Sequence, residues 1–555
     1  MNLKKILTGF MVAFALIGCS TEENKKENPQ RKISGAVISE KPKEFTIFAL
    51  HLGKAFNGEL PVFKKAFEMT NIKLKGTASK NQSDEVLAFK LMLSSGELPD
   101  IIAYEYPEEL EKLGADGKVI PLEDLIEKYA PNIKKFWEEN PKYKKDAVAA
   151  DGHIYMIPNY NDYDSISTSQ GYYIRKDWLK KLGLKEPETA EELYTVLKEF
   201  REKDPNGNGL KDEIPIFLRG NTSKKIISSL IDIFEADYNW YVKNGRPVFG
   251  PGQPEYRKAV RELAKWYKEG LIDSEVFTRD TSSRDYILNN NLGGFTCDWF
   301  SSTGNYNSKL KEAIPGFDFS VILPVEYNGT RSTAFSRENY LGGWSISKTA
   351  KDPVDIIKYF DFWYTEEGRR LWNFGIEGED YIMVNGKPKF TDKVLKNPEG
   401  RIPLMVLRET GAQYRLGMFQ DGENERQWAD PEAVKAMDLY IKSGVVKPPM
   451  PILKYTKEEV MELSKIDAQL YSIAEEMTQK CILGVSDVDK EWGSYIRRLN
   501  SAGRKRAEEI QKQAYERFIF KKKFCRISYQ EKPRDTKMKF NSLKIVFDIY
   551  WQRLI

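Results

Sequence analysis

Ser83-Asp-Glu-Val-Leu-Ala-Phe-Lys-Leu-Met-Leu-Ser-Ser-Gly-Glu-Leu-Pro-Asp-Ile-Ile-Ala-Tyr104 contains a helix, its stop and the strand that follows. Ser83-Asp84 offers side-chain oxygens to the free N–H groups of a helix start. Val86, Leu87, Leu91 and Leu93 recur at helical spacing to about Ser95. Gly96-Glu-Leu-Pro99 ends the helix, and the apolar run Asp100–Tyr104 reads as a strand. The same alternation extends outward. Phe45–His51 is a β-rich run, residues 59–69 are helical, and Ile72-Lys-Leu-Lys75 alternates. Further helices are predicted over Thr189–Arg201, Pro254–Lys268, Pro353–Tyr364 and Asp430–Ser443. A helical pair follows, from about Thr456 to Gln479 and from Val488 to Phe518. Pro187 and Pro254 stand near helix starts, where a missing N–H costs least. Strands alternating with amphipathic helices predict α/β architecture with largely parallel sheets. No internal repeat is visible.

Composition narrows the classes. A chain of 555 residues suggests two to four domains. With 30% charged and 41% hydrophobic residues it is neither disordered nor a multi-span membrane protein. The net charge of +4 averages unlike parts: residues 1–18 carry +2, 521–555 carry ten Lys/Arg against three acids, and 19–520 is left at −5. An acidic body does not suit nucleic acid. Two His and four Cys argue against His-based metal or triad catalysis, while 12% aromatic residues is a high fraction.

Lys4 and Lys5 precede the apolar run Ile6–Gly18, too short to span a bilayer, which needs roughly 20 apolar residues. Residues 1–18 read as a signal peptide. Leu16-Ile-Gly-Cys19 resembles a bacterial lipobox, which implies cleavage before Cys19 and an acyl anchor on it; an ordinary short signal with a chance Cys is the plainer alternative. Residues 19–44 are polar and aperiodic, a flexible tether. The expected location is the extracytoplasmic face of the cell membrane. Cys297, Cys481 and Cys525 match no zinc or redox spacing. A 297–481 disulfide stays open beside the preferred reading of two buried thiols.

Ser95–Asp100, Val119-Ile-Pro-Leu-Glu-Asp-Leu125, Ala130-Pro-Asn132, Asp151-Gly-His-Ile-Tyr-Met-Ile-Pro158, Tyr173-Ile-Arg-Lys-Asp-Trp178, Leu182-Gly-Leu184, Tyr267-Lys-Glu-Gly-Leu-Ile-Asp273 and Phe374-Gly-Ile-Glu-Gly378 occur in that order. The series resembles ABC-transporter solute-binding lipoproteins, in the large oligosaccharide-binding subgroup with alginate-binding members. The resemblance covers roughly residues 45–520. It implies a two-lobed periplasmic-binding-protein-like α/β fold with hinge strands and a mainly helical C-terminal segment. Residues 45–158 plus about 330–395 would form the first lobe, and 159–329 plus about 396–520 the second. It further implies a monomer that captures an oligosaccharide and hands it to two permease subunits, without catalysis.

Asp151-Gly152 is a turn signal before the expected strand Ile154–Ile157, which Pro158 ends. In Asp204-Pro-Asn-Gly-Asn-Gly-Leu-Lys-Asp-Glu213, oxygen side chains fall at positions 1, 3, 5, 9 and 10, with the Leu210 carbonyl at 7. Calcium takes six to eight such hard ligands, and Gly207 and Gly209 let the backbone curl. The opening resembles an EF-hand loop, its acids arriving at 9 and 10 instead of a Glu at 12. The plainer alternative is a polar turn after the helix ending near Arg201. The same spacing binds calcium in alginate-binding members. The resemblance therefore implies structural Ca2+ at Asp204, Asn206, Asn208, Leu210 (carbonyl), Asp212 and Glu213.

Sugar sites combine aromatic platforms with convergent polar groups. Gly293-Gly-Phe-Thr-Cys-Asp-Trp299-Phe-Ser-Ser302, Glu425-Arg-Gln-Trp428 and Asn339-Tyr-Leu-Gly-Gly-Trp344 offer that mixture. Alginate-binding members use a Trp with Ser three residues on and a Glu-x-x-Trp pair, which map to Trp299/Ser302 and Glu425/Trp428. Trp344, Asn159 and Tyr160 complete the cleft candidates, with Arg337 to meet an acidic sugar. For each Trp, core packing is the competing role; Trp178, Trp266, Trp363 and Trp372 are expected in the core. His153 reads as a solvated turn residue.

The tail 521–555 departs from the family pattern. It reads either as a frayed or frameshifted extension, which we prefer, or as a basic strap on an anionic envelope surface. An enzyme using paired carboxylates is not excluded by composition, because 82 acids offer many pairs. No G-x-S-x-G, H-E-x-x-H or phosphate-loop motif occurs, however. A peptide-binding or envelope-assembly lipoprotein is the third reading.

Overall fold

The computed structural model describes residues 37–530, apart from 52, 163–167, 220–226, 281, 334–339, 398–400 and 415; at 340–341 and 520–530 it describes the backbone alone. Cys19, Arg337 and the tail beyond 530 lie outside the described residues.

Two mixed sheets organise the chain. Strands are numbered β1 (Lys43–Phe48), β2 (Ile72–Gly76), β3 (Ile101–Tyr104), β4 (Ile157–Asn161), β5 (Gln170–Arg175), β6 (Ile214–Ile216), β7 (Gly293–Trp299), β8 (Phe319–Ile322), β9 (Tyr340–Ile346) and β10 (Phe419–Gln420). The first sheet has the order β10-β4-β9-β3-β1-β2 and the second β8-β5-β7-β6. In the first, β1 runs parallel to β2 and β3, but β9 is antiparallel to both β3 and β4. In the second, β5 is antiparallel to β7 and β8, and only β6 and β7 run parallel. The expectation of largely parallel sheets therefore fails for the second. The cause is topological: β5 enters that sheet from the first one, and β9 returns the other way, without the βαβ crossovers that keep strands parallel.

The opening stretch forms the expected helix, stop and strand, but Val86, Leu87 and Leu91 are exposed and the helix buries Ala88 and Phe89 instead. Asp84 accepts from the Leu87 N–H at the start of Glu85–Ser95, Gly96 closes the helix at φ 75°, and β3 follows. Thr189 forms a reciprocal capping box with Glu192 on Ala190–Glu202. Three boundaries differ. Ile154–Met156 are not strand, and Pro158 lies within β4 instead of ending it. Its partner is Gly343 beside a register shift in β9, and such irregularities are where a sheet tolerates proline. The predicted helix Val488–Phe518 is two helices, Val488–Ser501 and Arg504–Gln530, parted at Ala502-Gly503, where Gly503 has φ 100°. The end of the supposed tether is part of the fold: Ile38 N–H donates to Thr70 O at 3.1 Å and Asn71 Nδ2 to Ser39 O at 2.9 Å.

The first apolar core gathers residues from 45–160 and 344–418. The second joins 172–325 to the C-terminal helices through Leu470, Cys481, Tyr495 and Ile510. A third cluster on the second sheet includes Tyr173, Phe300, Met437 and Tyr440. Leu407, Ala412 and Leu416 thus belong to the first core, although the sequence reading grouped them with the second lobe; β10 pairs with β4 and draws that segment across. Cys297 and Cys481 are free thiols. No helix among the described residues is long and apolar enough to cross a membrane.

Candidate functional site

The chain passes from the first sheet to the second after β4 and back after β8, and after β10 it runs into the C-terminal helices. Trp299 is the last residue of β7, opposite Gln170 at the start of β5, and its side chain is exposed (47%). Beneath it lies a polar network. Arg284 Nη1 donates to Asp298 Oδ2 at 2.9 Å, to Ser302 Oγ at 3.0 Å and to Thr303 Oγ1 at 3.1 Å. Arg219 Nη2 donates to the same Ser302 Oγ at 2.6 Å, and its Nε stands 3.5 Å from Asp298 Oδ1. Asp298 is buried, and its Oδ1 also accepts from the Trp299 N–H. Burial lowers the Arg219 pKa; Asp298 opposes that and Arg284 adds to it. The arrangement is an exposed aromatic face beside fixed hydrogen-bonding groups, which suits a ligand with C–H faces edged by hydroxyls.

Arg219 and Arg284 were not among the sequence candidates. Neither lies in an aromatic motif, and Arg219 reaches Ser302 from 83 residues away. The glycines Gly293 and Gly294 do not open space for a ligand. A Cβ on Gly293 would stand 2.5 Å from the Phe217 ring, and one on Gly294 2.7 Å from the Phe200 ring, so both serve packing within the lobe.

Other candidates divide. Trp344 is fully buried in β9 and stacks on Phe360 with ring centroids 3.8 Å apart. It is a core residue, not a cleft platform, because β9 is covered on both faces. Tyr160 is equally buried; its hydroxyl accepts from Trp137 Nε1 at 3.1 Å and donates to Tyr143 O at 2.8 Å. It too leaves the ligand set. Asn159 is buried with an Oδ1 that has no hydrogen-bond partner. Glu425 is buried on the helix Gly422–Trp428. Trp428 is half-buried against the first core, its Nε1 donating to Asn424 Oδ1 at 3.0 Å. Trp178, Trp266, Trp363 and Trp372 are buried as expected. His153 is half-exposed, 2.5 Å from Glu123 Oε1, which raises its pKa.

The acidic loop curls as its glycines suggest, with Gly207 at φ 77° and Gly209 at φ 78°. Asp204 accepts from the backbone N–H groups of Gly207, Asn208 and Gly209. The Nδ2 groups of Asn206 and Asn208 donate to Asp212 at 3.0–3.1 Å. Glu213 is 2% exposed, and neither carboxylate oxygen has a hydrogen bond of ordinary geometry. Burial raises its pKa; Asp204 and Asp212 add to this, while nearby backbone N–H groups partly offset it. Among the described residues, no group of three or more His, Cys, Asp or Glu is arranged as a ready metal cluster. The donor set is nonetheless oxygen-rich, and an orphaned buried carboxylate is the group a divalent cation would satisfy.

Two α/β sheets linked by repeated chain passages, each with its own core, form the frame, and Trp299 is exposed at the end of β7. The chain belongs to the bacterial extracellular solute-binding protein family, matching it over residues 53–370; the family is one of binding proteins, not enzymes. It is 27% identical to the fructooligosaccharide ABC transporter substrate-binding protein FusA of Streptococcus pneumoniae over 92% of this chain and 97% of that one. It is 28% identical to the lipoprotein LipO of Bacillus subtilis over 54% of this chain and 59% of that one. Its fold matches the crystal structure of the alginate-binding protein AlgQ2 without calcium ion, with a TM-score of 0.76 and 36% identity over 87% of this chain and 99% of that one.

Proposed function

We propose that this protein captures an oligosaccharide between its lobes and, held by an acyl anchor on Cys19 at the extracytoplasmic face of the cell membrane, delivers it to an ABC import permease. The observation that supports the reading is Trp299, an exposed indole beside the Arg219–Asp298–Arg284–Ser302 network, opposite Gln170 where the chain enters the second sheet. Glu425, Trp428 and Asn159 are proposed to complete the site from the neighbouring passages, with Arg337 retained as a candidate. The saccharides named for FusA and AlgQ2 support a sugar over a peptide, and LipO supports the lipid anchor.

The loop 204–213 is proposed to hold a structural calcium ion through Asp204, Asn206, Asn208, Asp212 and Glu213, with the Leu210 carbonyl. The orphaned Glu213 carboxylate supports it. One solved FusA structure is of an EF-hand mutant and AlgQ2 was solved without calcium ion, which supports this reading. Extracellular calcium modules bind at about 10⁻⁴–10⁻³ M, consistent with a stabilising role.

The test is a thermal-shift panel of uronate, pectin-derived, fructose-based and neutral oligosaccharides against peptides, each with and without calcium. Binding to the native state raises Tm, by about 2.7 kcal/mol of stability at a hundredfold excess over Kd. A rise confined to saccharides supports the proposal and names the ligand class; a rise with peptides alone overturns it.

A further inference from the structure

After the helix Pro431–Ser443 the chain runs on as Val445-Val-Lys-Pro-Pro-Met-Pro-Ile-Leu-Lys-Tyr455. Residues 447–455 belong to no helix or strand. Val445 packs in the third cluster on the second sheet, Ile452 against the first core, and Tyr455 against the second. The segment therefore touches the lobe of each sheet in turn. At its start it lies beside the passage from β8 to β9. There the Thr333 N–H donates to Val445 O and the Lys447 N–H to Thr333 O, both at 2.8 Å. Pro448, Pro449 and Pro451 follow. Each proline fixes its own φ, and proline-rich segments act as semi-rigid spacers.

The far end is tied to both lobes. Lys454 Nζ donates to Glu111 Oε1 at 2.5 Å, with side chains 14% and 16% exposed, and Lys457 pairs with Asp116. Glu111 lies on the helix Pro107–Ala115, which Asp116 closes and which buries Leu110 and Leu113 in the first core. On the other side, Arg517 Nη2 donates to Lys454 O at 3.0 Å and to Glu459 Oε2 at 2.5 Å. Thr456 caps the helix Lys457–Ile482, which enters the second core through Leu463 and Leu470. Nearby, Lys145 of the first-lobe helix Pro141–Ala147 lies 3.5 Å from the Phe518 ring centroid and donates to Phe518 O at 3.3 Å.

This contact is not a continuous apolar core. A groove of about 560 Å³ remains in it, lined by Glu108, Lys112 and Ala115 from one side and by Tyr455, Val460 and Asp467 from the other. Relative motion is the default between domains unless their interface is large and hydrophobic. Ion pairs around an open groove can part, so the lobes are free to turn except where something ties them. A stiff segment bonded at the passage and pinned at both lobes is such a tie.

We propose that residues 445–457 form a strap that restrains the angle between the lobes, through the Lys454–Glu111 and Lys457–Asp116 pairs and the proline-stiffened run before them. The restraint is independent of which ligand binds. A failure of the saccharide panel would overturn the proposed function and leave the strap standing.

The experiment is single-molecule energy transfer on the full chain, between dyes attached through azidophenylalanine at the exposed positions Lys128, on the first lobe, and Lys258, on the second. Wild type should give one narrow distribution. Glu111→Gln combined with Asp116→Asn removes both first-lobe acids, and the distribution should broaden or split. Lys65→Gln, which breaks a pair with Glu68 inside one lobe, should leave it as in wild type. Circular dichroism reports whether the double variant folds. If it does not, Pro448→Gly with Pro449→Gly and Pro451→Gly, which keeps both ion pairs, carries the test with the same expected broadening. A distribution unchanged from wild type in the folded variant would overturn the proposal, and so would equal broadening in Lys65→Gln.

Discussion

Arg284 and Asp298 form a buried ion pair, Nη1 to Oδ2 at 2.9 Å with side chains 12% and 3% exposed, which ties the helix Ser283–Asn289 to the end of β7 directly under Trp299. The floor of the proposed sugar site is thereby rigid before a ligand arrives, which reduces the ordering cost of binding. Breaking a buried pair by removing one partner costs about 3–5 kcal/mol. Arg284→Met should therefore lower the unfolding free energy toward the low end of that range, since Arg219 stays 3.5 Å from Asp298, and denaturant unfolding would show it together with weaker binding. A variant of unchanged stability would mean that solvent replaces the pair.

Trp299→Ala removes a ring that is largely exposed and keeps the backbone N–H that Asp298 accepts from, so the stability cost should be small beside that of a buried Trp. Its Tm should change little while saccharide affinity drops about tenfold, equivalent to about 1.4 kcal/mol. Calorimetric titration of both proteins checks this, and equal affinities would take Trp299 out of the site.

Trp344→Ala should behave in the opposite way. The ring is buried against Phe360, and truncating a core Trp costs about 3–5 kcal/mol. Urea unfolding should show the loss. Saccharide affinity under conditions where the variant is folded should change little.

Glu213→Gln should abolish the calcium-dependent rise in Tm, because the orphaned carboxylate loses its charge while its shape is kept. Asp100→Asn serves as a control: it changes a carboxylate bonded to Thr46, outside the loop. A calcium-dependent rise that survives in Glu213→Gln would exclude this residue as a ligand.

The Glu123 carboxylate raises the pKa of His153 above its ordinary 6.5 by hydrogen bonding. The folded state therefore binds the proton more tightly than the unfolded one. This contribution to stability is complete below pH 6.5 and is lost as pH rises through the folded pKa. His153 is half-exposed, so the effect is small and screened by salt. His153→Gln should flatten this step in a stability-against-pH profile, and an unaltered step would assign it to another group.

The alternation around Ser83–Tyr104 was enough for an α/β fold, since caps, stops and period are local properties of the chain. The acidic loop was equally legible, because its oxygens and glycines lie within ten consecutive residues, Asp204–Glu213. Sheet direction was not, because antiparallel β5 and β9 depend on where distant segments cross.

The two tryptophans show the division most clearly. Gly293-Gly294 before Trp299 and Gly342-Gly343 before Trp344 look alike in one dimension, and each Trp sits near polar residues. Their fates depend on neighbours far along the chain. β9 inserts between β3 and β4 and buries Trp344, whereas Trp299 ends β7 and stays exposed. Arg219 reaches its place in the same way, by the pairing of β6 with β7 and not by any motif. Sequence alone determined which segments become helix, strand or acidic loop, because backbone propensity and capping act over a few residues. Which side chains face a ligand was decided only by tertiary structure, because burial depends on what packs against each strand from elsewhere in the chain.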